Sequence, residues 1–306
     1  MTKPNQFQKR LKEQHKAYEI GEQLSYFSVF EMGIFIESTA LTPLAFQYFQ
    51  FGLMRRLMII QKAYSWIIQN IPVERSKPLS LNEVENLNIH LNTIYLHLKG
   101  ALDNFCWAIV HQALDPNAVR ELSTQSVNLF AYRKATLEVT PYFLNGTALY
   151  KAIERLKPWD KQIKSRRDPG AHRIPLTVPP SIQTDIENVQ YRSTEEKVQR
   201  IQLKRNEDSR KFRATLSVDV HINEWDKQMK TLHSIYDNCN EQVSTLYKEL
   251  ESIGTFHPVF IQPPESKTTP LYPTIPNDIE NLLLILKAGL ETIRTVHSPA
   301  KATAPQ

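Results

Sequence analysis

Arg166-Arg167-Asp168-Pro169-Gly170-Ala171-His172-Arg173 sets one imidazole among three guanidinium groups. Imidazole exchanges protons near neutral pH, whereas guanidinium stays charged and holds phosphate through paired hydrogen bonds. Together they suit chemistry on a phosphodiester, in which a ribose 2′-hydroxyl attacks its neighbouring phosphate. A base must take the hydroxyl proton and a cation must steady the charge that develops. Imidazole, with an ordinary pKa of about 6.5, can be that base without a metal ion and is worth on the order of a hundredfold in rate. The same segment concentrates the charge of the chain. Between Lys151 and Arg173 lie eight Lys or Arg and three acids, an excess of five that equals the net charge of +5 over all 306 residues.

Other chemistries lack their residues. The sequence has no Gly-rich phosphate loop, no Walker lysine, no HExxH and no His/Cys/Asp/Glu cluster at metal-ligand spacing, so neither a metal nor a cofactor is expected. Cys106 and Cys239 are too few for a disulfide scaffold or a zinc site; both fall in apolar helical patterns and are expected as reduced, buried thiols. His90, His97, Asn104 and His111 recur every seven residues. Each step is about 10 Å along a helix, too far for two of them to share one metal ion. They are expected to border a helix packing surface; alternatively, they line a polar cleft facing the octet, with Asn104 or Asp103 nearest it.

The elements that must position these groups are mostly helices. Ser80-Leu81-Asn82-Glu83 has the form of a capping box. From there Val84, Leu87, Leu91, Ile94, Leu98, Ala101, Phe105 and Ile109 make an apolar stripe that runs to about His111, before Asp115-Pro116. Trp225, Met229, Leu232, Tyr236, Cys239, Val243, Leu246 and Leu250 alternate steps of four and three, a period that suits bundle or coiled-coil packing. A last helix starts at Pro276-Asn277-Asp278 and buries Ile279, Leu282, Leu286, Leu290 and Ile293. Two or three helices precede residue 72, broken near Thr42-Pro43 and Ile71-Pro72. Another runs from about Thr147 to Leu156 and ends before Pro158. Asp168-Pro169 reads as an N-cap followed by a first-turn proline, so Asp168 to His172 is expected to open a short helical turn whose free amides help attract phosphate.

One stretch has the period of a strand. Phe212, Ala214, Leu216, Val218, Val220 and Ile222 alternate with polar residues. Arg200–Lys204 is its expected hairpin partner and Asn188–Tyr191 a weaker third strand, with the basic residues of this region on a solvated face. Three prolines keep 174–180 from being helical. The sequence therefore predicts a mainly α protein, a helical bundle with a small inserted antiparallel β-sheet. It forms one domain over 1–297 with the insertion at about 185–222, an exposed linker at Pro263–Thr274 and a disordered tail at 298–306. A polar N-terminus without a signal-peptide core, and no apolar run of membrane length, lead to the expectation of a cytoplasmic protein with no membrane partner.

Arg167-Asp168-Pro169-Gly170-Ala171-His172 resembles the Arg-polar-xxx-His motif of the HEPN superfamily, helical proteins that include many metal-independent ribonucleases. The helix carrying Ala101-Leu102-Asp103-Asn104-Phe105 is similar to that family's preceding core helix. The resemblance implies a metal-independent endoribonuclease, a toxin or defence effector acting as a homodimer on RNA, with an antitoxin or other protein partner. Arg167 would be the phosphate ligand, Asp168 the supporting polar residue and His172 the general acid or base. Arg166, Arg173, Lys164 and Asn104 would bind the nucleic acid around them. The alternative is a non-catalytic HEPN-like module that binds a nucleotide, a nucleic acid or a protein through the same surface. Pro175, just past the motif, favours that version.

Overall fold

Ser80 and Glu83 form the expected reciprocal cap: the Glu83 carboxylate accepts the Ser80 amide at 2.8 Å, and the Ser80 hydroxyl accepts the Glu83 amide at 3.4 Å. The helix they open is the longest among the described residues. In the computed structural model, which describes residues 6–114, 116–120, 122, 127–130, 146–172, 175–214, 222–263 and 267–297, it spans Leu81–Ala113. Its predicted stripe is buried from Leu87 to Ile109. The protein is mainly α, with one small antiparallel sheet among the described residues. The chain divides into two compact units, 1–74 with 86–178 and 258–306, and 75–85 with 179–257.

The first unit begins with α1 (Gln6–Tyr26), which passes through a wider π-type turn at Phe27–Glu31 into α2 (Met32–Ser38). Thr42 caps α3 (Pro43–Gln47), its hydroxyl accepting the Ala45 amide at 3.3 Å, and a second wide stretch at Tyr48–Met54 leads into α4 (Arg55–Asn70). The breaks therefore fall at Thr42-Pro43 and Ile71-Pro72, where the prolines require them. Then come α5 (Leu81–Ala113), α6 (Pro116–Arg120) and α7 (Ala148–His172). The last helix of the chain, α10 (Thr274–His297), packs along α7 and α1 and buries Ile279, Leu282, Leu286, Leu290 and Ile293 as its stripe predicts. Leu176 and Val178 lie in extended backbone against α5. Asn92 exchanges two hydrogen bonds with Leu176, at 3.0 and 2.8 Å, and Asn88 accepts the Val178 amide at 2.8 Å.

Helix α7 corrects two expectations. It does not stop before Pro158, and Asp168-Pro169 does not start a helix; α7 continues unbroken across both prolines. An internal proline costs about 3 kcal/mol, and packing offsets it: Ala152, Ile153, Leu156, Trp159 and Ile163 keep one buried face along the helix. Pro169 has no amide to give the Ser165 carbonyl, which instead accepts Gln262 Nε2 at 3.2 Å. Gln262 ends β1 (Val259–Gln262), which pairs antiparallel with β2 (Lys267–Pro270). Pro263–Thr274 is thus not simply a linker, since part of it is a strand and Leu271 and Tyr272 are buried.

The second unit is built on a helical hairpin, α8 (Asp185–Ala214) against α9 (Ile222–Leu250). The strands expected at Asn188–Tyr191 and Arg200–Lys204 are therefore helix, and of the alternating stretch only Phe212–Ala214 and Ile222 are described, all helical. Over 185–214 the expected sheet insertion is replaced by α8, residues 215–221 lie outside the described residues, and the antiparallel sheet among the described residues is the β1–β2 hairpin. A second reciprocal cap drives this outcome: Glu187 accepts the Thr184 amide at 2.8 Å, and Thr184 accepts the Glu187 amide at 3.4 Å. Thr194 and Val198 continue the buried side of α8. The heptad stripe of α9 faces it, with Leu232, Cys239 and Leu250 buried and Trp225 exposed. Both cysteines are free and buried.

Candidate functional site

The octet lies at the C-terminal end of a helix. There the backbone offers free carbonyls and the negative end of the helix dipole, which favour the arginines and disfavour an anion. The amide-rich helix start expected at Asp168 is absent. The motif spacing changes meaning as well. On a continuous helix, positions 167 and 172 are about 140° apart around the axis, so the turn expected to bring them together does not form.

Arg166 points inward. Its guanidinium pairs with Asp278, the fifth residue of α10, and the two side chains are only 11% and 5% exposed. Asp278 also accepts the Tyr95 hydroxyl at 2.9 Å and the Trp159 indole N–H at 3.0 Å. Arg166 lies over the Tyr95 ring, 5.5 Å from its centroid. Burial holds the Asp278 carboxyl above its ordinary range, against the pull of Arg166 and the two hydrogen bonds. Burial, then Asp278, pushes the Tyr95 hydroxyl up. The guanidinium expected to grip phosphate is part of the interior.

Arg167 pairs with its neighbour Asp168 at 3.2 Å, at the surface. The Nε of Arg167 is buried without a hydrogen-bond acceptor among the described residues. Lys164 is held by Asp160 at 3.3 Å, and Asp160 also meets buried Lys99 at 3.4 Å, itself 3.3 Å from Asp103. These alternating charges bind α5 to α7. Arg173 and the side chain of His172 lie outside the described residues.

Asn104 turns toward the wide stretch before α4, where a Cβ on Gly52 would meet its amide at 2.7 Å. The rest of its heptad line meets α4 or the same wide stretch. His90 stacks on Trp66 at 4.6 Å, His97 Nδ1 lies 3.3 Å from Arg56, and His111 stacks on Tyr48 at 5.0 Å. Burial lowers the pKa of all three histidines, and for His97 the Arg56 charge adds to it. They border a packing surface, as expected, and are not shown beside the octet.

The solvent side of α7 is what remains basic. Lys151, Arg155 and Lys161 are exposed and have no ion pair among the described residues, while Lys157 pairs with Glu154. Sequence reasoning missed the anchoring set of Tyr95, Lys99, Trp159, Asp160 and Asp278. Lys99 gave a signal, as a charge beside the buried stripe of α5; Asp278 was disguised as a helix start. No helix among the described residues is long and apolar enough to cross a membrane. Compared with family models, with curated proteins and with solved structures, the chain matches none.

Proposed function

We propose that this protein is a non-catalytic HEPN-like module that holds a nucleic acid by its phosphates along the solvent face of α7. The observation that carries the reading is the unpaired charge of Lys151, Arg155 and Lys161 on that face. Their positions fall within about 120° of one another around the axis and span about 15 Å, the length of roughly four phosphates along a strand. The α8–α9 hairpin gives no such preference, since its helices carry eleven Lys or Arg and eleven Asp or Glu. Titrating labelled single-stranded RNA at several salt concentrations tests this. Three neutralised phosphates give a log–log slope of about −2 for single strands. The variant Lys151→Gln/Arg155→Gln/Lys161→Gln should lose most of that slope and of the affinity; unchanged binding by the variant sinks the reading.

A specific observation keeps the ribonuclease in view: the buried Arg167 Nε lacks an acceptor, and a phosphate oxygen would supply one. In that reading a homodimer brings Arg167 and His172 to their symmetry mates, and a protein antitoxin covers them. Cleavage of RNA in EDTA that is lost in His172→Ala supports it. Intact RNA after prolonged incubation, or full cleavage by His172→Ala, removes it.

A further inference from the structure

The second unit contains a cavity of about 280 Å³ where the first half of α8 faces the end of α9. That volume is near the lower end for ligand pockets, about 300 Å³ upward, and equals the space of roughly nine waters. Its floor is apolar, formed by Leu79, Val198 and Leu250, all buried. Its wall is polar: Tyr191, Glu195 and Gln199 are four residues apart on α8, Tyr247 stands in the last turn of α9 and Glu251 is the first residue past its end.

Glu195 and Glu251 are the only charged residues lining it, and neither side chain has a hydrogen bond or ion pair among the described residues. Neighbouring acids do have partners, since Thr194 donates to Glu249 at 3.1 Å and Arg200 reaches Glu196 at 3.4 Å. Tyr191 and Gln199 likewise have no side-chain hydrogen bond among the described residues, so both can turn to a ligand. Burial, followed by Glu195 and Tyr247, holds the Tyr191 hydroxyl above its ordinary range, so its ring meets a ligand as the neutral phenol. Carboxylates without a counter-charge at the wall of a partly apolar cavity attract a cation, and phenol rings attract one to their faces.

We propose that this cavity binds a primary alkylammonium. Glu195 and Glu251 hold its ammonium group, the Gln199 amide oxygen accepts one of its protons, the faces of Tyr191 and Tyr247 meet the charge, and Leu79, Val198 and Leu250 cover the alkyl chain. The site is separate from α7, so the loss of nucleic-acid binding would leave it standing.

Calorimetric titration of the full chain with n-hexylammonium, and with n-hexanol as its neutral counterpart, is the test. The amine should bind saturably at one site and the alcohol should not. Glu195→Gln/Glu251→Gln, which keeps shape and removes charge, should weaken amine binding at least about tenfold, with its circular dichroism unchanged. Should that variant misfold, the parent in rising sodium chloride replaces it, because screening must weaken a charge-led contact. The proposal is overturned by the absence of saturable heat with the amine, by equal binding of hexanol, or by an affinity indifferent to both the variant and salt.

Discussion

At the scale of residues, the arginine that looks most available is the one most committed. Arg166 and Asp278 stabilise each other inside the first unit, and removing one leaves the other charge buried alone. Asp278→Ala should therefore cost about 3–5 kcal/mol in urea unfolding, whereas Arg166→Met/Asp278→Leu should recover part of that loss. The double variant should also bind RNA as the parent does, because Arg166 contributes to the interior and not to the α7 face. The pH dependence has a definite sign. The folded Asp278 carboxyl sits above its unfolded value, so the folded state holds that proton more tightly. Stability from this group grows as pH falls through the raised value toward about 3.9, and is lost as pH rises through it. Asp278→Asn should remove that increment, read as the difference between the two urea midpoints across the window. Little of this was legible in the sequence. Asp278 follows Pro276-Asn277, which is how a helix start is written, and the Asp side chain that a cap would turn to the backbone is instead drawn inward by Arg166, Tyr95 and Trp159.

At the scale of elements, apolar stripes predicted well, as did the breaks at Thr42-Pro43 and Ile71-Pro72, whereas Pro158 and Pro169 did not break α7. The faces of α5, α9 and α10 follow from spacing alone, because each is long enough for a stripe to have one interpretation. Pro158 and Pro169 each mark a break within α7 by local rules; its continuity depends on Trp159 and Ile163 packing inward, which a local rule does not weigh. In α8 the start is set by the Thr184–Glu187 cap, which the alternation beginning at Phe212 does not reveal. That alternation covers only the last turn of α8 among its described residues. The contact of α10 with α5 gives a sharp test. A Cβ at Gly289 would intrude on the Phe105 ring, which is fully buried. Gly289→Ala should lower stability by about 1–3 kcal/mol despite the better helix propensity of alanine, seen as a fall in thermal midpoint. Phe105→Leu in the same chain should cost less than the two changes added separately.

At the scale of the molecule, the two units differ in how much apolar surface they enclose. The first buries stripes from α1, α4, α5, α7 and α10, while the hairpin unit has a small cluster of Val198, Leu250 and Ile253. Amide hydrogen exchange should therefore be slowest in α5 and α10 and faster by orders of magnitude along α8 and α9; equal protection in both would contradict this difference in core size. The pairing of Arg166 with Asp278 also bears on how the protein may be shortened for study. A fragment that ends before α10 loses the counter-charge and part of the cover over Arg166 together. That guanidinium would then seek any polyanion offered, and a truncated protein would acquire an affinity for nucleic acid that the intact chain keeps folded away.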